Sequence, residues 1–176
     1  MKNSSLKAII VLVAICLIIA VAMAAVNALT APRIEEAARI AEQEALSAVL
    51  PENAGFEIIE LDTLPESVSA IYRDMDGEGY VAMLSIKGYD SSKPMSAAVG
   101  FTSEGVITQM KMISAQGETS GIGSKVMLPE FLAQFIGKTE SLDGVDTISG
   151  ATISSSAVVR AAGESFAALE SAREVS

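Results

Sequence analysis

Residues 8–26 form a run of 19 residues without one polar or charged side chain. A helix rising about 1.5 Å per residue needs roughly 20 apolar residues to cross the hydrocarbon core of a bilayer, so this run is long enough to span. Lys2 and Lys7 precede it, whereas Arg33 and Arg39 beyond it are mixed with Glu35 and Glu36. The positive-inside rule therefore predicts a cytoplasmic N-terminus and an external C-terminal part. A cleaved signal peptide is the rival, because Ala22-Met23-Ala24 resembles an A-x-A site. Its apolar region would exceed the usual stretch of about 7–15 residues, which favours a retained anchor.

One membrane segment in 176 residues leaves room for a single compact domain. Half of the chain is hydrophobic, enough for a core, and 12 basic against 22 acidic residues give a net charge of −10. That balance argues against nucleic acid as a partner. One Cys and no His exclude a disulfide framework, an iron–sulfur cluster held by this chain alone, the usual zinc sites and histidine-based triads. Cys16 lies within the apolar run, where packing is its expected role, and Ile15 before it does not suit a lipidated cysteine.

After Pro32, apolar residues from Ile34 to Val49 recur at helical spacing until Pro51, which predicts a helix whose acidic face, with Glu35, Glu36, Glu42 and Glu44, is solvated. The expected organisation is 1–7 as the cytoplasmic N-terminus, 8–29 as the transmembrane helix, 30–51 as a helical stalk and 52–176 as the external domain. Within that domain, β-type runs fall at 56–61, 67–73, 80–86, 96–101 and 106–113, with turn signals at Asp76-Gly77, Lys93-Pro94 and Glu104-Gly105. Helices are expected over 128–135 and 152–173. The fold class is α+β, an antiparallel sheet with helices on one face.

Residues 146–156 read D-T-I-S-G-A-T-I-S-S-S. Ser149-Gly150 can turn tightly, Ala151 leaves room, and Thr152 then stands in the first turn of the last helix, where free N–H groups and the helix dipole favour a phosphate. Ser154, Ser155 and Ser156 could donate hydrogen bonds to it. A plain N-cap role for Ser149 or Thr152 accounts for the same residues. The second element is Gly117–Gly123, G-E-T-S-G-I-G. Glycines 121 and 123 permit close backbone approach and Ile122 offers an apolar contact, although an ordinary loop reads the same way. It is no Walker loop, since Lys125 follows Ser124 without the required spacing, and no dinucleotide fingerprint, since Val126 stands where glycine is needed. Tyr89 reads as a core tyrosine, and Met110 and Met112 as core residues on one strand face.

The run D-x-x-S-G-A-T-x-S resembles the flavinylation motif of FMN-binding subunits of membrane redox complexes, and E-T-S-G-I-G resembles a second segment of that family. Gly88-Tyr89 matches a third position, after which Asp90-Ser91-Ser92-Lys93-Pro94 departs from the family's glycine-rich continuation. Taken along the chain, the likeness is to the RnfG family of the Rnf electron-transport complex. The related NqrC family of the sodium-translocating NADH:quinone oxidoreductase is usually longer. The resemblance implies FMN joined to Thr152 through a phosphoester bond by a separate flavin transferase. Ser149, Gly150, Ala151, Ser154, Ser155, Glu118, Thr119, Gly121, Ile122 and Gly123 would form the FMN site. It further implies a single-pass protein of the cell membrane without autonomous activity, working among other membrane subunits that pass electrons from reduced ferredoxin to NAD while moving Na⁺ or H⁺. An anchored binding or assembly module without redox chemistry is the reading of a different class.

Overall fold

The computed structural model describes residues 2–51, 53–77 and 79–175, without the side chains of 2–6. Met1, Glu52 and Ser176, which bound the expected segments, lie outside the described residues, as does the side chain of Lys2. Helix α1 runs Lys2–Val49 without interruption, with Pro32 inside it. Proline removes one backbone donor from the helical ladder. Just before it, Thr30 Oγ1 donates to the Val26 carbonyl at 3.0 Å.

The chain divides into two units, Met1–Ala41 and Glu42–Ser176. In the first, the apolar side chains from Ile9 to Leu29 are exposed, Cys16 among them. Among the described residues this is one helix long and apolar enough, by length and composition, to cross a membrane.

The second unit is built on a five-stranded antiparallel meander, β1 (Phe56–Ile59), β2 (Val68–Asp74), β3 (Gly79–Ile86), β4 (Met95–Thr102) and β5 (Ile107–Ser114), in sequential order. The turns are where the sequence put them. Gly77 and Gly105 adopt φ of 76° and 84°, and their amides bond Asp74 O at 2.8 Å and Thr102 O at 3.0 Å. A 3-10 turn (Gly123–Met127) comes first, the short helix α2 (Pro129–Leu132) and a second 3-10 turn (Ala133–Phe135) then fill the region 128–135 expected to be helical, and α3 spans Thr152–Val175.

One sheet face buries Ile71, Leu84, Val99, Phe101, Met110 and Met112 against Val158, Ala162, Phe166 and Leu169 of α3. Phe101 and Phe166 meet edge to face with centroids 5.0 Å apart. The other face is covered too, contrary to the expectation of helices on one face and a solvated stalk. Ala45, Leu46, Val49 and Leu50 at the end of α1 are buried on Val81, Met83 and Ala98. Strands apolar at successive positions, as β3 and β4 are, need cover on both sides, and the last turns of α1 supply it.

Candidate functional site

At one end of the sheet the β3–β4 loop, the segment after β5 and the first turn of α3 converge. The turn into α3 is set by Gly150, whose φ of 80° suits the third position of a type II turn closed by Ala151 N on Ile148 O at 2.9 Å. This leaves Thr152 exposed as the first helical residue. Among the described residues neither the Ser149 nor the Thr152 hydroxyl makes a hydrogen bond to α3, so neither acts as its N-cap. Ser155 ties the turn instead. Its buried hydroxyl accepts from Ile148 N at 3.0 Å and donates to Ala151 O at 2.9 Å.

The segment after β5 is held by its own turns. Gly121, at φ 74°, donates its amide to Ser124 Oγ at 2.8 Å, and Ser124 N reaches Thr119 O at 3.2 Å. Glu118 leaves this segment and reaches both other elements. Its Oε1 accepts from Tyr89 N at 2.9 Å, and its Oε2 accepts from the Ser154 hydroxyl. The departure at Asp90–Pro94 is an ordered turn. Asp90 Oδ1 accepts from Ser92 N at 3.0 Å and Ser92 Oγ at 2.6 Å, bonds that hold the Asp90 carboxyl below its ordinary range. Gly117 has no Cβ to obstruct the Lys93 and Asp90 carbonyls, so the two loops pack backbone to backbone.

Between these elements lies a cavity of about 430 Å³, within the roughly 300–1,000 Å³ of small-molecule sites. Eight of the eleven residues singled out in the sequence line it: Glu118, Thr119, Ile122, Gly123, Gly150, Ala151, Thr152 and Ser154. Ser149, Gly121 and Ser155 do not; they shape the turns beside it. Two lining residues, Tyr89 and Ile153, were missed. Tyr89 is 69% exposed, not a core residue, and Ile153 is 61% exposed. Ile153 had a signal, since it is apolar yet lies off the buried stripe of α3. Ser154 and Ser155, expected to face a phosphate, donate their hydrogen bonds to Glu118 and Ala151 instead, so the backbone N–H groups of the first helical turn and the exposed Ser156 hydroxyl are the donors that remain at this helix start.

The cavity is lined by an exposed hydroxyl at a helix start and by the apolar or aromatic side chains of Ile122, Ile153 and Tyr89, which fits a phosphorylated ligand with a flat apolar body. Known proteins agree with that chemistry. Residues 88–166 match the FMN-binding domain and residues 1–49 the RnfG N-terminal region. The G subunit of the ion-translocating oxidoreductase complex of Methanosarcina acetivorans is 32% identical over a 137-residue alignment covering 68% of this chain and 70% of that protein. The chain thus belongs to the RnfG family of ion-translocating oxidoreductase complexes, with an N-terminal RnfG region and an FMN-binding domain.

Proposed function

We propose that this protein carries FMN covalently on Thr152 and relays electrons within an Rnf-type complex that couples ferredoxin oxidation and NAD reduction to Na⁺ or H⁺ movement. The observation that carries the reading is the placement of Thr152, an exposed hydroxyl free of hydrogen bonds among the described residues, at the first position of α3 and in the wall of the cavity. When bound there, FMN supplies the electron transfer that a chain with no His and one Cys does not supply itself.

The residues of the chain bind and orient. The Thr152 oxygen would displace the leaving group from phosphorus of a flavin-phosphate donor, so that its O–H bond and one P–O bond of the donor break as the ester forms, and the proton departs with the leaving group. The backbone amides that open α3 favour the negative charge that remains. Ile122, Ile153 and Tyr89 would contact the ring system, and covalent attachment keeps a relay cofactor from being lost. A separate flavin transferase makes the bond. Lys2 and Lys7 before the apolar run favour a cytoplasmic N-terminus and a domain on the external side of the cell membrane.

The test is intact mass after denaturation, with peptide mapping, of protein made beside a flavin transferase. A gain of FMN less one water on Thr152 is expected, absent in Thr152→Ala. An unmodified chain from a flavinylating host would sink the reading.

A further inference from the structure

We infer that Glu118 is a positioning residue, a carboxylate latch that ties the Gly88–Tyr89 loop to the first turn of α3 and so holds Thr152 in the cavity wall. This rests on the reading of Thr152 as the flavin attachment site.

Three observations carry the inference. Both oxygens of Glu118 are taken, Oε1 by the Tyr89 amide at 2.9 Å and Oε2 by the Ser154 hydroxyl. These bonds span 29 and 36 residues, so one side chain fixes two distant segments. Second, glycines on two sides make room for the carboxylate. A Cβ at Gly88 would run into Glu118 Oε1 and come within 2.8 Å of Met95 Cε, and a Cβ at Gly123 would run into Oε2 and come within 2.9 Å of Ser154 Oγ. Third, the base of the latch is anchored, because Glu118 N donates to Ala115 O at 3.1 Å, and its far end is sheltered, because Ser154 is 3% exposed.

Hydrogen bonds to an ionised acceptor are roughly twice as strong as neutral ones, so the latch is strong for a loop contact. With each oxygen held by a protein donor, Glu118 is fixed in place and acts on the site through Tyr89 and Ser154. It also accepts the one hydrogen bond the Ser154 hydroxyl can donate, leaving that hydroxyl only lone pairs to present elsewhere.

The experiment uses the full chain in detergent and reads two quantities: the rate at which purified transferase adds flavin to Thr152, and amide hydrogen exchange at Tyr89 and residues 152–154 before loading. Glu118→Ala should slow loading about tenfold or more, as expected from losing a charged hydrogen bond, and speed exchange at Tyr89. Glu118→Gln should restore both to within about threefold, since its amide oxygen accepts from Tyr89 and its NH₂ donates to Ser154 Oγ. Combining Ser154→Ala with Glu118→Ala should add little, because both changes break one unit. Wild-type loading and exchange in Glu118→Ala, a Gln variant as slow as Ala, or fully additive losses would each overturn the latch. Should Glu118→Ala not fold, Ser154→Ala must still slow loading, and an unchanged rate there overturns it. A wild-type chain that takes no flavin on Thr152 overturns the attachment site instead, and the exchange arm then judges the latch alone.

Discussion

Thr108 Oγ1 donates a hydrogen bond to the Val49 carbonyl at 2.7 Å, capping the end of α1 from a strand 59 residues later. Carbonyls in the last helical turn have no later turn to bond with, so an outside donor is valuable there. Gly100 makes the contact feasible, since a Cβ at that position would collide with both the Val49 carbonyl and Thr108 Oγ1. We predict that Gly100→Val lifts the helix end from the sheet and destabilises the domain by about 1–3 kcal/mol, the usual cost of overpacking. Thermal melts of the full chain in detergent test this, and an unshifted midpoint would show that α1 does not need to lie so close.

The same packing sets where a soluble fragment can begin. Ala45, Leu46, Val49 and Leu50 cover Val81, Met83 and Ala98, all buried. A fragment starting at Glu42 should melt cooperatively, and one starting at residue 52 should expose that sheet face and aggregate. Size-exclusion chromatography of the two fragments decides the matter. A monomeric, cooperatively folded short fragment would make the end of α1 dispensable.

Tyr72 gives the contact a pH dependence. Its hydroxyl donates to Glu42 Oε1 at 2.6 Å, and burial, then the hydrogen bond and charge of Glu42, push its pKa up to about 12. An unfolded tyrosine ionises near pH 10, so the folded chain holds a proton that the unfolded chain releases between about pH 10 and 12. The raised pKa therefore contributes stability that is fully present below about pH 10 and is lost as pH rises through 12. The stability difference between wild type and Tyr72→Phe should shrink across that window in denaturant titrations. Parallel curves would mean that the Tyr72–Glu42 bond has no part in stability.

Much of this architecture was legible because local chemistry dictates it. Glycine turns at Gly77 and Gly105 fix two hairpins, and the apolar stripe of α3 fixes which face it buries. The cover on the second sheet face was less legible. Successive apolar residues in β3 and β4 showed that cover was needed, but acidic residues along 35–44 made the covering helix read as a solvated stalk. The small residues of the site stood out because they fall in two motifs of the family, and the structure shows Gly121 and Gly150 at positive φ. The partners of Glu118 did not, since no local rule links residues 29 and 36 positions apart. The serines show the same limit from the other side: three adjacent hydroxyls look alike in sequence, and only packing distinguishes them.

That distinction is testable. Ser155 is fully buried and bonds both Ile148 N and Ala151 O, whereas Ser156 one residue later is exposed. Ser155→Ala leaves the Ile148 amide without its acceptor in a part-buried turn, which should destabilise the domain by about 1–3 kcal/mol. Because that turn places Gly150 and Thr152, the same change should slow flavin addition to Thr152. Ser156→Ala should alter neither quantity, and it serves as the control for removing a hydroxyl from the helix start. Ser155→Cys keeps the volume but is a weaker donor and acceptor, so it should fall between the two. Melting midpoints and loading rates of the three variants, compared side by side, check the ordering. Equal effects of Ser155→Ala and Ser156→Ala on loading would mean that the serines act as a solvated phosphate shell, and the assignment of Ser155 to the turn would fall.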